Sequence, residues 1–71
     1  MKKKFKCEID CANCAAKVEE AIRRVDGVLD ARVNFITQKF TLEAEEAVFE
    51  AVLTRAIQAG KRAEAEFEVE V

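Results

Sequence analysis

The sequence predicts an α+β domain with its elements in the order βαββαβ. Three observations carry that prediction: four stretches in which apolar and polar residues alternate, two stretches in which apolar residues recur every three or four positions, and a glycine after each of the helical stretches. Alternation with a period of two buries one face of a strand, whereas the longer period buries one stripe of a helix.

The first strand is Lys4–Ile9, with Phe5, Cys7 and Ile9 on one face and Lys4, Lys6 and Glu8 on the other. From Ala12 the period changes, and Ala15, Val18, Ile22 and Val25 form one helical stripe opposite Lys17, Glu19, Glu20, Arg23 and Arg24. Glu19 with Arg23 and Glu20 with Arg24 are acid-before-base pairs one turn apart, which support a helix. Asp26-Gly27 is read as its end, with glycine as a left-handed cap. Leu29, Ala31, Val33 and Phe35 then alternate with Asp30, Arg32 and Asn34; a turn at Ile36-Thr37-Gln38 leads to Phe40 and Leu42, alternating with Lys39, Thr41 and Glu43. Those two strands form a hairpin. Glu45–Ala59 returns to helical spacing through Phe49, Val52, Leu53 and Ala56, with Gly60 as its stop. In the last strand Ala63, Ala65, Phe67, Val69 and Val71 face inward, and Arg62, Glu64, Glu66, Glu68 and Glu70 face outward.

This order is the split βαβ, or ferredoxin-like, arrangement: a four-stranded antiparallel sheet with both helices on one face. The topology sets the first strand beside the last. Their solvent faces are Lys-rich and Glu-rich, so opposite charges meet across the ladder.

A chain of 71 residues is expected to form a single domain over 1–71, with no room for a separate catalytic domain. Its 51% hydrophobic and 37% charged composition is that of a globular chain. The net charge of −2, with no basic run beyond Lys2-Lys3-Lys4 and Lys6, argues against a nucleic-acid partner. No apolar run approaches the ~18 residues of a membrane span, and no apolar segment follows the lysines as in a signal peptide. A soluble, cytoplasmic monomer without membrane insertion is expected, either a small protein in its own right or a domain cut from a longer chain. Three cysteines in so short a chain do not make a disulfide framework, and free thiols in a reducing compartment are the simpler reading.

The chemistry lies in Asp10-Cys11-Ala12-Asn13-Cys14, where the first strand gives way to the first helix. This spacing brings two sulfurs to one ion, Cys11 from the loop and Cys14 from the first helical turn. Unpaired N–H groups and the positive end of the helix favour thiolate, the metal-binding form. Three other readings compete. A redox dithiol also opens a helix with Cys-x-x-Cys, but in a larger fold that uses prolines, of which this chain has none. A closed structural zinc site needs four ligands, and with no histidine and only Cys7 left it cannot be completed. Burial of the pair as small hydrophobes is opposed by the polar neighbours Asp10 and Asn13. Cys7, which shares a strand face with Phe5 and Ile9, is instead assigned to the core.

Two further residues join the candidate site. Asp10 can lean its carboxylate onto the ion as a third ligand or cap the helix. Lys61, at the expected exit of the second helix, lies at the same end of the fold as the Cys loop and the hairpin turn; there its ammonium can offset a thiolate pair or simply be solvated.

The stretch Ile9-Asp10-Cys11-Ala12-Asn13-Cys14-Ala15-Ala16-Lys17-Val18-Glu19, followed by Val25-Asp26-Gly27-Val28 and Ala31-Arg32-Val33-Asn34-Phe35, resembles the heavy-metal-associated domain. This is the module of copper chaperones and of the cytoplasmic N-termini of heavy-metal P-type ATPases, and the wording from Asp10 to Lys17 is most similar to the zinc, cadmium and lead exporters. The resemblance implies one ion held at the two cysteines, often with an acidic residue, and a domain that delivers the ion to a pump or regulates it. Zinc, cadmium or lead(II) is favoured over copper(I), and the implied partner is another metal-binding domain or the membrane domain of a P-type ATPase. A cytosolic copper(I) chaperone is the alternative within binding proteins, toward which Lys61 points by its likeness to a lysine of eukaryotic copper chaperones. A small dithiol oxidoreductase is the alternative from another class. The chain departs from the family pattern at Glu8 and Ile9, where glycine and methionine are usual; Ile9 can fill the volume of that methionine beneath the loop. No phosphate-cradling loop or acylatable aspartate of an ATPase is recognisable, so the chain itself is read as a binding domain and not an enzyme.

Overall fold

The computed structural model describes residues 1–70. Strand β1 is Lys2–Glu8, helix α1 Ala12–Arg23, strand β2 Val28–Asn34 and strand β3 Lys39–Ala44. A single 3₁₀ turn, Glu46–Val48, leads into α2, Phe49–Ala63, and β4 is Glu68–Glu70. The sheet has the order β2-β3-β1-β4 with every pairing antiparallel, so the split βαβ topology is confirmed. Both helices pack on one face of it.

The core lies where the periodicity put it. Val18 and Ile22 from α1, Phe40 and Leu42 from β3, and Phe67 are fully buried, together with Cys7, Ile9, Ala15, Phe49, Val52 and Ala56. Phe40 is the hub: its ring meets Phe67 edge-on at 5.9 Å and stacks with Phe5 at 6.0 Å. Such pairs add about 0.5–1.5 kcal/mol beyond burial.

The structure departs from the sequence reading at several places. Helix α1 stops at Arg23, before Asp26-Gly27; Gly27 serves the following turn, where φ is +95° and an added Cβ would lie 2.7 Å from Val52 Cγ2. A bulge between Val28 and Asp30 turns Leu29 out to 62% exposure, although it was expected to share the face of Ala31. Gly60 does not stop α2. It sits inside the helix because the Phe67 ring occupies the space where a side chain would be, 2.6 Å from the Cβ position, and the helix runs on to Ala63. Consequently Ala63 is helical, Ala65 is exposed and β4 is only three residues long; Val71, also assigned to that strand, lies outside the described residues. The start of α2 likewise moves from Glu45 to Phe49, behind the 3₁₀ turn.

The charge argument for β1 beside β4 holds at Lys6, whose partner is Glu70, but the next outward-facing pair is Glu8 opposite Glu68, two like charges.

Candidate metal site

The β1–β3 ladder ends at Lys6 opposite Lys39, yet β1 stays extended to the buried Ile9. On one side β4 still pairs with Cys7 and Glu8; on the other the hairpin turn takes over. The N–H of Cys7 donates to the carbonyl of Gln38 at 2.9 Å, the N–H of Ile9 donates to Gln38 Oε1 at 2.9 Å, and Gln38 Nε2 donates to the carbonyls of Ile9 and Phe35. The turn itself is closed by Asn34 Oδ1, which accepts the N–H groups of Ile36 and Thr37. Only Asp10 and Cys11 then lie between the anchored strand and the first residue of α1.

Cys11 occupies the N-cap position of α1 in extended conformation, and its carbonyl accepts the N–H of Ala15 at 2.9 Å. Its side chain is exposed; Cys14, one turn into the helix, is half-buried against the core, and both are free thiols. The N–H groups of Cys14 and Asn13 point toward the Cys11 sulfur without completing a capping hydrogen bond. They hold the Cys11 thiol below the usual thiol range, helped by the Cys14 S–H, which donates to Cys11. Cys14 moves the other way, up to about 11, because nearby protein atoms desolvate it and because the negative charges of Cys11 and Glu64 disfavour its thiolate. Cys11 is therefore the more acidic thiol of the pair, with the positive helix end beside it.

Glu64 is the residue that sequence reasoning missed. It was assigned to the outer face of the last strand, but the extra turn of α2 makes it the C-cap of that helix, its N–H bonded to the Gly60 carbonyl at 2.9 Å. From there its negative charge raises the Cys14 thiol and opposes the lowering at Cys11. No sequence signal singled it out among four alternating glutamates.

The other two candidates are placed as follows. Lys61 is inside the last turn of α2, not in a loop, and its Nζ pairs with Glu68 Oε2 at 3.7 Å. The charge beside the thiols is thus an acid and not this lysine. Asp10 is exposed and lines a shallow cleft with Glu8, Ile9, Gln38 and Glu66. Among the described residues no three Cys, Asp or Glu side chains come together as a metal site; the arrangement is a dithiol under the electrostatic influence of Glu64. That is an open set of soft and hard donors, suited to taking up an ion and releasing it.

Comparison with known proteins decides the family. The model of the heavy-metal-associated domain matches residues 5–64. The chain belongs to that family. Among relatives, it is 42% identical over 48 residues to copper-transporting ATPase 1 of Rhizobium meliloti, covering 68% of this chain and 6% of the relative. It is 38% identical over 52 residues to the zinc/cadmium/lead-transporting P-type ATPase of Shigella sonnei, covering 73% of this chain and 7% of the relative. The chain thus spans less than a tenth of the length of either. Among solved structures, the N-terminal domain of a potential copper-translocating P-type ATPase from Bacillus subtilis, in the Cu(I)-loaded state, superposes with a TM-score of 0.78 at 27% identity, covering 99% of this chain and 84% of that one. The N-terminal domain of ZntA in its Zn(II) form superposes with a TM-score of 0.68 at 31% identity, covering 97% and 88%. This heavy-metal-associated domain is a metal-binding module by family, with copper-named and zinc-named proteins among both its relatives and its structural neighbours. Among the described residues no helix is long and apolar enough to cross a membrane.

Proposed function

We propose that this domain binds one heavy-metal ion through Cys11 and Cys14 and delivers it to, or regulates, a heavy-metal P-type ATPase from the cytoplasmic side of the membrane, with zinc, cadmium or lead(II) as the cargo. The observation that carries the choice of metal is the likeness to the zinc/cadmium/lead-transporting P-type ATPase and to the ZntA domain in its Zn(II) form, with Glu64, whose charge acts on both thiols, as a candidate third donor. Two thiolates and a carboxylate supply three negative charges to an ion carrying two positive ones, and they offer the additional ligand that zinc and cadmium seek. Copper(I) is satisfied by two sulfurs, so for it the carboxylate is surplus charge. The Cys-x-x-Cys pair alone, and the copper-transporting relatives, support copper(I) as the second reading. Asp10 remains a candidate ligand from the loop, with its carboxylate exposed one residue before Cys11.

The test is competitive titration of the purified domain with zinc, cadmium and copper(I) against chelators of known affinity. One ion per chain is expected, and Glu64→Gln weakens zinc and cadmium by about tenfold or more, the usual range for loss of a supporting group at a metal, while copper(I) affinity is kept. Asp10→Asn has the same selectivity if its carboxylate closes onto the ion. Equal weakening of both metals by Glu64→Gln, or none, removes the argument for a divalent cargo. Turnover of a disulfide substrate would place the chain with the dithiol oxidoreductases instead.

A further inference from the structure

We propose that Gln38, far from the cysteines in sequence, is the positioning residue of the metal loop, an inference that rests on Cys11 and Cys14 being the metal site. The β1–β3 ladder stops at Lys6 opposite Lys39 because the chain turns away at Gln38. Continued as a strand, β3 would have offered backbone groups to Cys7 and Ile9. Gln38 offers them instead, its own carbonyl to Cys7 and its carboxamide to both the N–H and the carbonyl of Ile9. The side chain thus stands in for the next stretch of strand and lengthens the ordered ladder to within two residues of Cys11.

The backbone at this position makes the point sharper. Gln38 has φ of +56°, the one non-glycine residue in the left-handed region among those described. Glycine or asparagine adopts that conformation more readily, and a turn selected only to reverse the chain would carry one of them. Neither replaces the carboxamide: glycine has none and asparagine is one methylene shorter. Glutamate has the length but only accepts, so it cannot donate to Ile9 and Phe35. The residue found is the one whose length and donor–acceptor pair match the main chain of Ile9. Its effect on the site is mechanical. Ile9 is buried beneath the loop and gripped on both backbone groups, so Cys11 departs from a fixed point and the thiol pair is held at one separation before any ion arrives.

The experiment compares wild type with Gln38→Gly and Gln38→Glu. Gln38→Gly relieves the backbone and removes the grip, so a role in turn stability alone predicts an equal or higher urea midpoint and an unchanged loop. The positioning role predicts that, in the metal-free protein, NMR order parameters of residues 10–14 fall in both variants. It also predicts that zinc passes to a chelator about tenfold faster from either variant, in the range seen when an outer support of a metal ligand is lost. Order parameters and release rates unchanged in both variants overturn the proposal. The metal-free measurement stands apart from the metal reading: if wild type takes up no ion at the cysteines, that reading fails while loop order still decides the role of Gln38.

Discussion

The two halves of the metal loop are held in opposite ways. On the strand side, Cys11 follows a segment fixed by short-range geometry: the hairpin turn closed by Asn34 and the Gln38 side chain on Ile9. On the helix side, Cys14 is fixed by packing, half-buried against the core, with Glu64 brought to it by the length of α2. Hydrogen bonds to an exposed turn can be removed without touching the core, whereas the helix side cannot be moved without repacking α1 against α2. The thiol on the strand side is the exposed one and the more acidic of the two.

The largest expected effect erases both halves equally. Cys11→Ser and Cys14→Ser each abolish tight metal binding in a chelator competition, since one thiolate cannot hold the ion alone. Cys7→Ser, by contrast, leaves the stoichiometry at one and lowers stability by about 1–3 kcal/mol, the cost of burying a hydroxyl among apolar side chains; loss of the ion in that variant would take Cys7 out of the core role.

A second perturbation strikes the helix side alone. Gly60→Ala drives a methyl against the Phe67 ring and toward Val18 Cγ1, 3.2 Å from the Cβ position, and overpacking of this kind costs about 1–3 kcal/mol. In urea unfolding the midpoint drops, and amide shift changes concentrate around Cys14, Glu64 and Phe67 while Gln38 and Ile9 stay in place. Changes spread evenly over both halves would show that the two are coupled after all.

The electrostatic contrast gives a chemical readout. With Cys11 below and Cys14 above the usual thiol range, Cys11 is already thiolate at a pH where Cys14 is not, so mass-mapped alkylation near neutral pH labels Cys11 first. A reversed order would show that the proton sits on the other sulfur.

The smallest effect is on stability at high pH. Burial raises the Cys7 thiol, and Cys14 is raised to about 11, so folding favours their protonated forms. Stability from a raised acid is complete below its unfolded pKa and is lost as pH rises toward the folded one. The urea midpoint therefore declines between about pH 8.5, the unperturbed thiol value, and the region of 11. Cys7→Ala shrinks the decline. Cys11 has the opposite sign: its contribution is complete above the unperturbed value and is lost as pH falls toward its lowered folded value.

The alternation and the helical stripes, read residue by residue, gave the element order, the sheet topology and nearly all of the core, because burial on one face is a local pattern visible wherever the chain is regular. Val18, Ile22, Phe40, Leu42, Phe49, Val52 and Phe67 were all legible in this way. The Cys11–Cys14 pair was legible too, since its chemistry rests on spacing at a strand-to-helix junction and on nothing distant.

What the sequence could not determine were the places where a distant side chain overrules local preference. Gly60 reads as a helix stop because glycine is a poor helix former, yet it is helical because Phe67, arriving from the next segment, fills the space its side chain would take. With the helix continued through Gly60, Lys61 lies inside it and Glu64 becomes its C-cap. Gln38 reads as an ordinary turn residue until the hairpin folds over Ile9 and gives its carboxamide a main chain to hold. Identity, spacing and period are properties of the chain; which charge stands beside the cysteines and what anchors their loop depend on residues brought together only by folding, and these the tertiary structure alone decided.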